Sequence, residues 1–198
     1  SPADKGGRSA PKPFHFTTLG DLLYRYYDAY HVTGVEVDDV LSILANSSDD
    51  YVIGTIDKDL MQCPGWHFNW QYNLKEHLSK TTTLGHLVLE KGKLRGSGKC
   101  FLYAQTLMGD RVDNYFGIPN MGPVKTFTLL NGLTTEEELY RATYNEYLNI
   151  YGDEKEFLKN INMAYMLQGG ELVHDDSNGI TVVNPRLWTP PSNMEVES

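Results

Sequence analysis

Between Thr18 and Tyr30 the pattern LGDLLYRYYDAY places apolar residues at helical spacing, which predicts an amphipathic helix broken at Gly34. Residues 36–46, EVDDVLSILAN, predict a second amphipathic helix with acids in its first turn. The short apolar run YVIGTI (51–56), bounded by acids, predicts a buried strand. In WHFNWQY (66–72) the aromatics Trp66, Phe68, Trp70 and Tyr72 alternate with His67, Asn69 and Gln71, which predicts a half-buried strand. Residues 74–99 are polar and Gly-rich, ending in GKLRGSGK (92–99), and read as a solvated loop or a phosphate contact.

From residue 100 onward the periodicity is helical. The stretch 100–108 predicts a helix stopped by Gly109, and 124–130 a further one. Two longer helices are expected from about Thr135 and over about 153–168, because Thr135 with Glu138, and Asp153 with Glu156, have capping-box spacing. Gly169 is the expected C′ stop of the last one. The tyrosines at 24, 26, 27 and 30, and at 140, 144, 147 and 151, fall at helical spacing, so packing in a core or interface is expected before base stacking. Residues 1–13 predict a flexible basic arm, and the Pro-containing tail from Pro185 a loosely held end. The organisation expected is an α/β part over 1–99, a helical part over 100–184 and a loose tail over 185–198.

Composition narrows the class. With 40% hydrophobic residues in 198, the chain can bury a core, and no apolar run reaches the roughly 18 residues of a membrane span, so no membrane partner is expected. Cys63 and Cys100 lack metal-ligand spacing and read as small core residues in a reducing, cytoplasmic setting. The six histidines show no paired spacing and suggest no metal site. The formal charge of −9 argues against a nucleic-acid substrate only if the acids are spread evenly. Setting seven acids aside as metal ligands reduces −9 to −2, and two divalent ions offset more than half of such a cluster.

The acids are not spread evenly. Glu36, Asp38 and Asp39 crowd the first turn of a predicted helix, with Glu36 and Asp39 on one face and the positive end of the helix dipole reducing their repulsion. Asp57 and Asp59 directly follow the run 51–56, where α/β folds place ligands beyond a strand's carboxyl end. Asp110 and Asp113 are again three apart. Each cluster also has an ordinary reading as a cap or a solvated turn. Next comes GIPNMGPVK (117–125), in which glycines permit close approach of backbone N–H groups to a phosphate, Pro123 suits a helix's first turn and Lys125 adds a cation. Magnesium wants hard oxygen ligands, and two such ions can activate water and stabilise a leaving oxygen. Three acidic clusters followed by a phosphate-cradling loop suit that chemistry.

These motifs resemble the 5′-nuclease superfamily of flap endonucleases, phage 5′→3′ exonucleases and the 5′-nuclease domain of bacterial DNA polymerase I. The family's E-x-D-D stands as EVDD (36–39), its D-x-D as DKD (57–59) and its G-D-x-x-D-N as GDRVDN (109–114). Its helix–three-turn–helix signature stands as GIPNMG (117–122), and the resemblance covers about residues 5–132. It implies a central, mostly parallel sheet flanked by helices, with a helical C-terminal region that looks more like a phage exonuclease. It implies a Mg²⁺-dependent exonuclease or flap endonuclease with two ions, Mn²⁺ able to substitute, acting on DNA with a 5′ end, flap or nick in a bacterial or phage-infected cell. Glu36, Asp38, Asp39, Asp57, Asp59, Asp110 and Asp113 would be metal ligands, direct or through water. Gly117, Ile118, Gly122, Val124 and Lys125 would hold duplex DNA by its backbone, with a K⁺ ion at the hairpin. Lys5 and Arg8 in DKGGR look like the family's Y-K-x-x-R over the scissile phosphate, with Asp4 where Tyr is usual.

The sequence departs from the family at its start. The family's first strand, ending in Asp, and a second Asp ahead of the basic motif have no counterpart before Lys5. The expectation is a partial core with weak metal binding and slow or absent cleavage on its own, completed by a separate N-terminal piece. A non-catalytic flap- or duplex-binding module, one part of a split nuclease, is the alternative, and RNA–DNA hybrids stay open as substrates.

Overall fold

Residues 11–71, 77–177 and 179–191 are described by the computed structural model, and the packing there is organised around one helix. Helix α3, which runs Gly98–Met108 once the preceding elements are counted, is apolar on nearly every side and is buried from Cys100 through Leu107. A helix of that kind must be surrounded. Helices α4 (Pro123–Leu130), α5 (Glu136–Tyr151) and α6 (Lys155–Ala164) do so, and Leu102, Leu107, Leu130, Leu139, Tyr147 and Phe157 share one cluster. The Tyr147 hydroxyl donates to the Thr106 carbonyl at 2.6 Å, so the buried phenol is satisfied.

Helix boundaries follow their caps. The Thr135–Glu138 capping box forms at the head of α5 as its spacing predicts, and Gly152 ends the helix at φ 74°. Helix α6 departs from expectation. It stops at Ala164, the Asp153 carboxylate accepts the Lys155 N–H instead of forming a box with Glu156, and the Gly169 carbonyl accepts the Arg186 N–H instead of Gly169 acting as the stop. The tail is likewise firmer than its proline content suggests, since Trp188 is buried and packs on Tyr140 and Phe157.

The chain is mixed α/β, but the described strands build three small sheets rather than a central, mostly parallel one. Strand β1 (His31–Thr33) pairs in parallel with β8 (Gly179–Val183), which also pairs with β7 (Glu171–His174). Strand β2 (Val52–Gly54) pairs in parallel with β3 (Gly65–Phe68), and β3 pairs with β4 (Leu78–Thr81). Strands β5 (Leu87–Glu90) and β6 (Lys93–Gly96) form a hairpin. Its turn places both Lys91 and Gly92 at positive φ, the requirement of a two-residue hairpin, and gives definite structure to a stretch that reads as loop. The run 51–56 yields three paired residues, of which Ile53 is buried.

Burial adds detail to two further expectations. In β3 the alternation is present, but the buried member is His67 at 2% exposure while Trp66 stays 36% exposed. The His67 Nε2–H donates to the Cys63 carbonyl at 2.9 Å, and burial lowers the imidazole's pKa, so the ring sits neutral inside. Tyr72 lies outside the described residues. Helix α1 (Phe16–Tyr26) is exposed along nearly its whole length, and Tyr24, Tyr26, Tyr27 and Tyr30 face solvent, whereas Tyr140 and Tyr147 are buried as expected. Periodicity reports an apolar face and is silent on what covers it. Helix α2 (Val37–Ser47) spans two clusters, with Val40 and Ile43 against Ile180 and Val182, and Leu41 and Ala45 beside Ile53 and Cys63. Both cysteines are free and buried.

Candidate metal centre

Strand β2 delivers the chain into a tight turn built by its own polar side chains. Thr55 Oγ1 accepts the Asp57 N–H at 2.9 Å, and the Asp57 carboxylate then accepts the Asp59 N–H at 3.0 Å. This Asx turn opens the 3₁₀ helix Asp59–Gln62, whose Leu60 and Cys63 flank are buried beside Ile53. Asp59 is thereby fixed at the start of an element whose next residue anchors in the core.

The second wall comes from the C-terminal end of α3. Gly109 ends that helix at φ 72°, and a side chain there would run into the backbone of Phe116 and Gly117. Gly117 faces it at φ 58° and would meet the Leu107 carbonyl. Such mutual approach requires glycine at both positions. Between them Asp110 bridges to Tyr115, and its carboxylate accepts the Val112 N–H at 2.8 Å. The loop that follows is pinned from behind, where Asn160 Oδ1 accepts the Gly117 N–H at 3.1 Å.

These two walls bring Asp59, Asp110 and Asp113 together, with one oxygen from each lying within 4.8 Å of the others. Among the described residues they are the group of three that could hold an ion. The hard, anionic donor set suits a divalent cation. A cation already sits among them, because Lys58 Nζ lies 2.9 Å from Asp110 Oδ2 and 3.5 Å from Asp59 Oδ1. Burial raises the Asp59 carboxyl above its usual range, against the pull of Lys58 and a hydrogen bond from Gln105. Burial would raise Asp110 too, but hydrogen bonds from Lys58 and the backbone amides of Val112 and Asp113 outweigh it and hold that carboxyl low. The Lys58 ammonium is desolvated, yet its two acidic partners keep it more firmly protonated than usual.

The other expected ligands are placed differently. Asp57 adjoins Asp59 and spends an oxygen on the turn. Glu36 is the N-cap residue of α2, and Asp39 Oδ1 accepts the Leu167 N–H at 2.9 Å, linking α2 to the segment after α6. Burial raises the Asp39 carboxyl, and burial together with the charges of Asp38 and Asp39 pushes the neighbouring Cys63 thiol up to about 11. Lys5 and Arg8 lie outside the described residues.

On the far side of Gly117 the segment 118–122 leads into α4. Ile118 is buried, Gly122 is the N-cap and has open space where a side chain would stand, and Pro123 occupies the first turn. Val124 and Lys125 are exposed. Three residues that spacing alone does not single out also belong to this region: Lys58 and the buried amides Gln62 and Gln105. The available signal is two glutamines inside otherwise apolar stretches, DLMQC and FLYAQTL.

A scan of known protein families finds no match to the chain. No solved structure matches it either. Among curated proteins the chain is similar to the DNA polymerase I of Pseudomonas aeruginosa (strain ATCC 15692 / PAO1), at 35% identity over 121 residues, 58% of this chain. The match spans 12% of that relative's length. No helix among the described residues is long and apolar enough to cross a membrane.

Proposed function

We propose that the chain is the carboxylate-rich part of a Mg²⁺-dependent nuclease that hydrolyses DNA phosphodiesters at or near a 5′ end, as an exonuclease or flap endonuclease. The observation that carries the reading is the convergence of Asp59 with Asp110 and Asp113, about fifty residues away in sequence, within 4.8 Å of one another. Immediately beyond them stands a helix N-terminus with an open glycine cap. The similarity to a DNA polymerase I supports the same reading alongside the resemblance of EVDD, DKD and GDRVDN to 5′-nuclease motifs.

Asp59, Asp110 and Asp113 would hold the ion, with Asp57 beside them and Glu36, Asp38 and Asp39 assigned to the same chemistry by resemblance. Bound magnesium supplies a water activated at neutral pH and positive charge for the leaving oxygen. The protein's own groups do the positioning. The Val124 and Lys125 amides of α4's first turn lack an intrahelical acceptor, and Gly122 has open space where a side chain would stand, so a phosphate oxygen can approach there. Lys125 adds sequence-independent attraction to the backbone. Lys5 and Arg8 fit the role of cations over the scissile phosphate. A K⁺ ion at the hairpin belongs to the same reading, as does a cytoplasmic setting.

The test is a single-turnover assay on 5′-labelled flap and nicked duplexes in Mg²⁺ and in Mn²⁺. Metal-dependent release of short 5′ products, slow or absent from the chain alone, restored by a separately supplied N-terminal piece and lost in Asp59→Asn, is the expected result. Tight flap binding that yields no product in either metal, even with that piece added, would make the chain a DNA-binding module instead. Faster cleavage of RNA–DNA hybrids than of DNA would change the substrate class. In the same assay Lys125→Ala is expected to weaken binding uniformly across sequences and to reduce the salt slope by about 1.

A further inference from the structure

Two buried glutamines form a chain of amides that ends on the metal centre. The Gln105 side-chain nitrogen donates to Asp59 Oδ1, and Gln105 Oε1 accepts from the Gln62 nitrogen. The same Gln62 nitrogen donates to the carbonyl of Ala164 at 2.8 Å. Gln62 and Gln105 are 2% and 4% exposed, so neither can exchange these partners for water.

The polarity of this chain is set at both ends. Ionised Asp59 and the Ala164 carbonyl can only accept, so Gln105 must turn its NH₂ to Asp59 and its oxygen to Gln62. Gln62 must then give both of its hydrogens, one to Gln105 and one to Ala164. An amide flip at either residue would set oxygen against oxygen in a buried space. The cost of this arrangement is visible: Gln62 Oε1 is buried without a partner. An otherwise unfavourable orphan is tolerated where the donors are needed elsewhere. Ala164 is the last residue of α6, whose carbonyl lacks an intrahelical donor. The relay therefore ties a helix end, the 3₁₀ turn and α3 to one carboxylate oxygen.

We infer that Gln105, backed by Gln62, is the positioning residue that fixes the Asp59 carboxylate for cation binding, a deepening of the nuclease reading on which it rests. A ligand oxygen held by a buried donor cannot rotate away, and loss of such outer partners weakens metal sites by roughly 10–100-fold. Neither glutamine touches substrate. Their effect passes through Asp59.

The experiment is Mn²⁺ titration of the full chain followed by the electron paramagnetic resonance signal of free Mn²⁺. Gln105→Leu is expected to bind Mn²⁺ about 10–100-fold more weakly, with metal-free duplex binding near that of the unsubstituted protein and a lower melting temperature from the Gln62 N–H left unpaired. Gln62→Leu is expected to show a smaller loss, and the double variant no more than Gln105→Leu alone, because the two act in series. Affinity within twofold of the unsubstituted chain in Gln105→Leu, or losses that simply add, would overturn the inference. Should Gln105→Leu not fold, Gln62→Leu decides, with weakened Mn²⁺ binding at unchanged stability in favour and unchanged binding against. If the unsubstituted chain itself shows no site that Asp59→Asn removes, the nuclease reading fails first, which is a different result.

Discussion

The acids at the start of α2 and those at the end of α3 each include a pair three residues apart, Glu36 with Asp39 and Asp110 with Asp113, yet their surroundings differ. At α2, Asp39 faces inward and is hydrogen-bonded to the backbone of Leu167, so its carboxylate joins two parts of the fold. Around α3, Asp59, Asp110 and Asp113 face one another, with a lysine ammonium set between two of them. Asp110 and Asp59 also accept amide hydrogens, but they carry like charges that converge with Asp113 on one point, whereas Asp39 spends one oxygen on a backbone amide far along the chain. Spacing within a cluster thus identifies acids worth examining, and the partner that each one meets differs between the two regions.

Substitutions can break that comparison. The largest effect is expected at Asp59→Asn, which should reduce Mn²⁺ affinity by at least about 100-fold, more than loss of an outer-sphere partner. Its metal-free melting temperature should hold or rise, because one of three repelling carboxylates is neutralised while an acceptor remains for Gln105. Asp39→Ala should show the reverse emphasis, a stability loss of about 1–3 kcal/mol by denaturant titration from the partly buried Leu167 amide left unpaired. Equal stability in the two variants would remove the distinction.

A smaller effect sharpens the role of the resident lysine. Lys58 is 65% exposed, so its ion pairs carry at most about 1 kcal/mol. Lys58→Met should therefore tighten Mn²⁺ binding by no more than about fivefold, as the competing cation is lost. Weaker binding in that variant would mean the lysine supports the site rather than competes for it.

The smallest effect lies away from the acids. His67 is held neutral because burial lowers its pKa, so the unfolded chain takes up a proton first on acidification. Its contribution is fully present above the ordinary histidine value of about 6.5 and is lost as pH falls below it. Stability measured from pH 7.5 down to pH 5 should decline less steeply in His67→Gln than in the unsubstituted chain.

The sequence was most legible where chemistry is local. The Thr135–Glu138 box, the Gly109 stop and the first turn of α4 at Pro123 are all dictated by residues within one helical turn, and they form as spacing predicts. Meeting of Asp59 with Asp110 and Asp113 was readable only as a family pattern, because it depends on how β2 and α3 pack. What spacing could not supply is what covers a face. The tyrosines of α1 and of α5 share a periodicity, but α5 has α3 and α6 to pack on and α1 stands exposed. The alternation in β3 predicts one buried side without saying which, and the buried side is that of His67, whose ring bonds to the Cys63 carbonyl. Among the described residues the strands are three to five residues long and pair in three separate sets in place of the expected central sheet.

The centre can be located directly by adding substoichiometric Mn²⁺ to ¹⁵N-labelled protein and recording which amide signals broaden. Selective loss of the signals of residues 57–60 and 109–115 is the expected result. Broadening centred elsewhere, or spread evenly over exposed acids such as Asp153 and Asp175, would contradict a cation site formed by Asp59, Asp110 and Asp113.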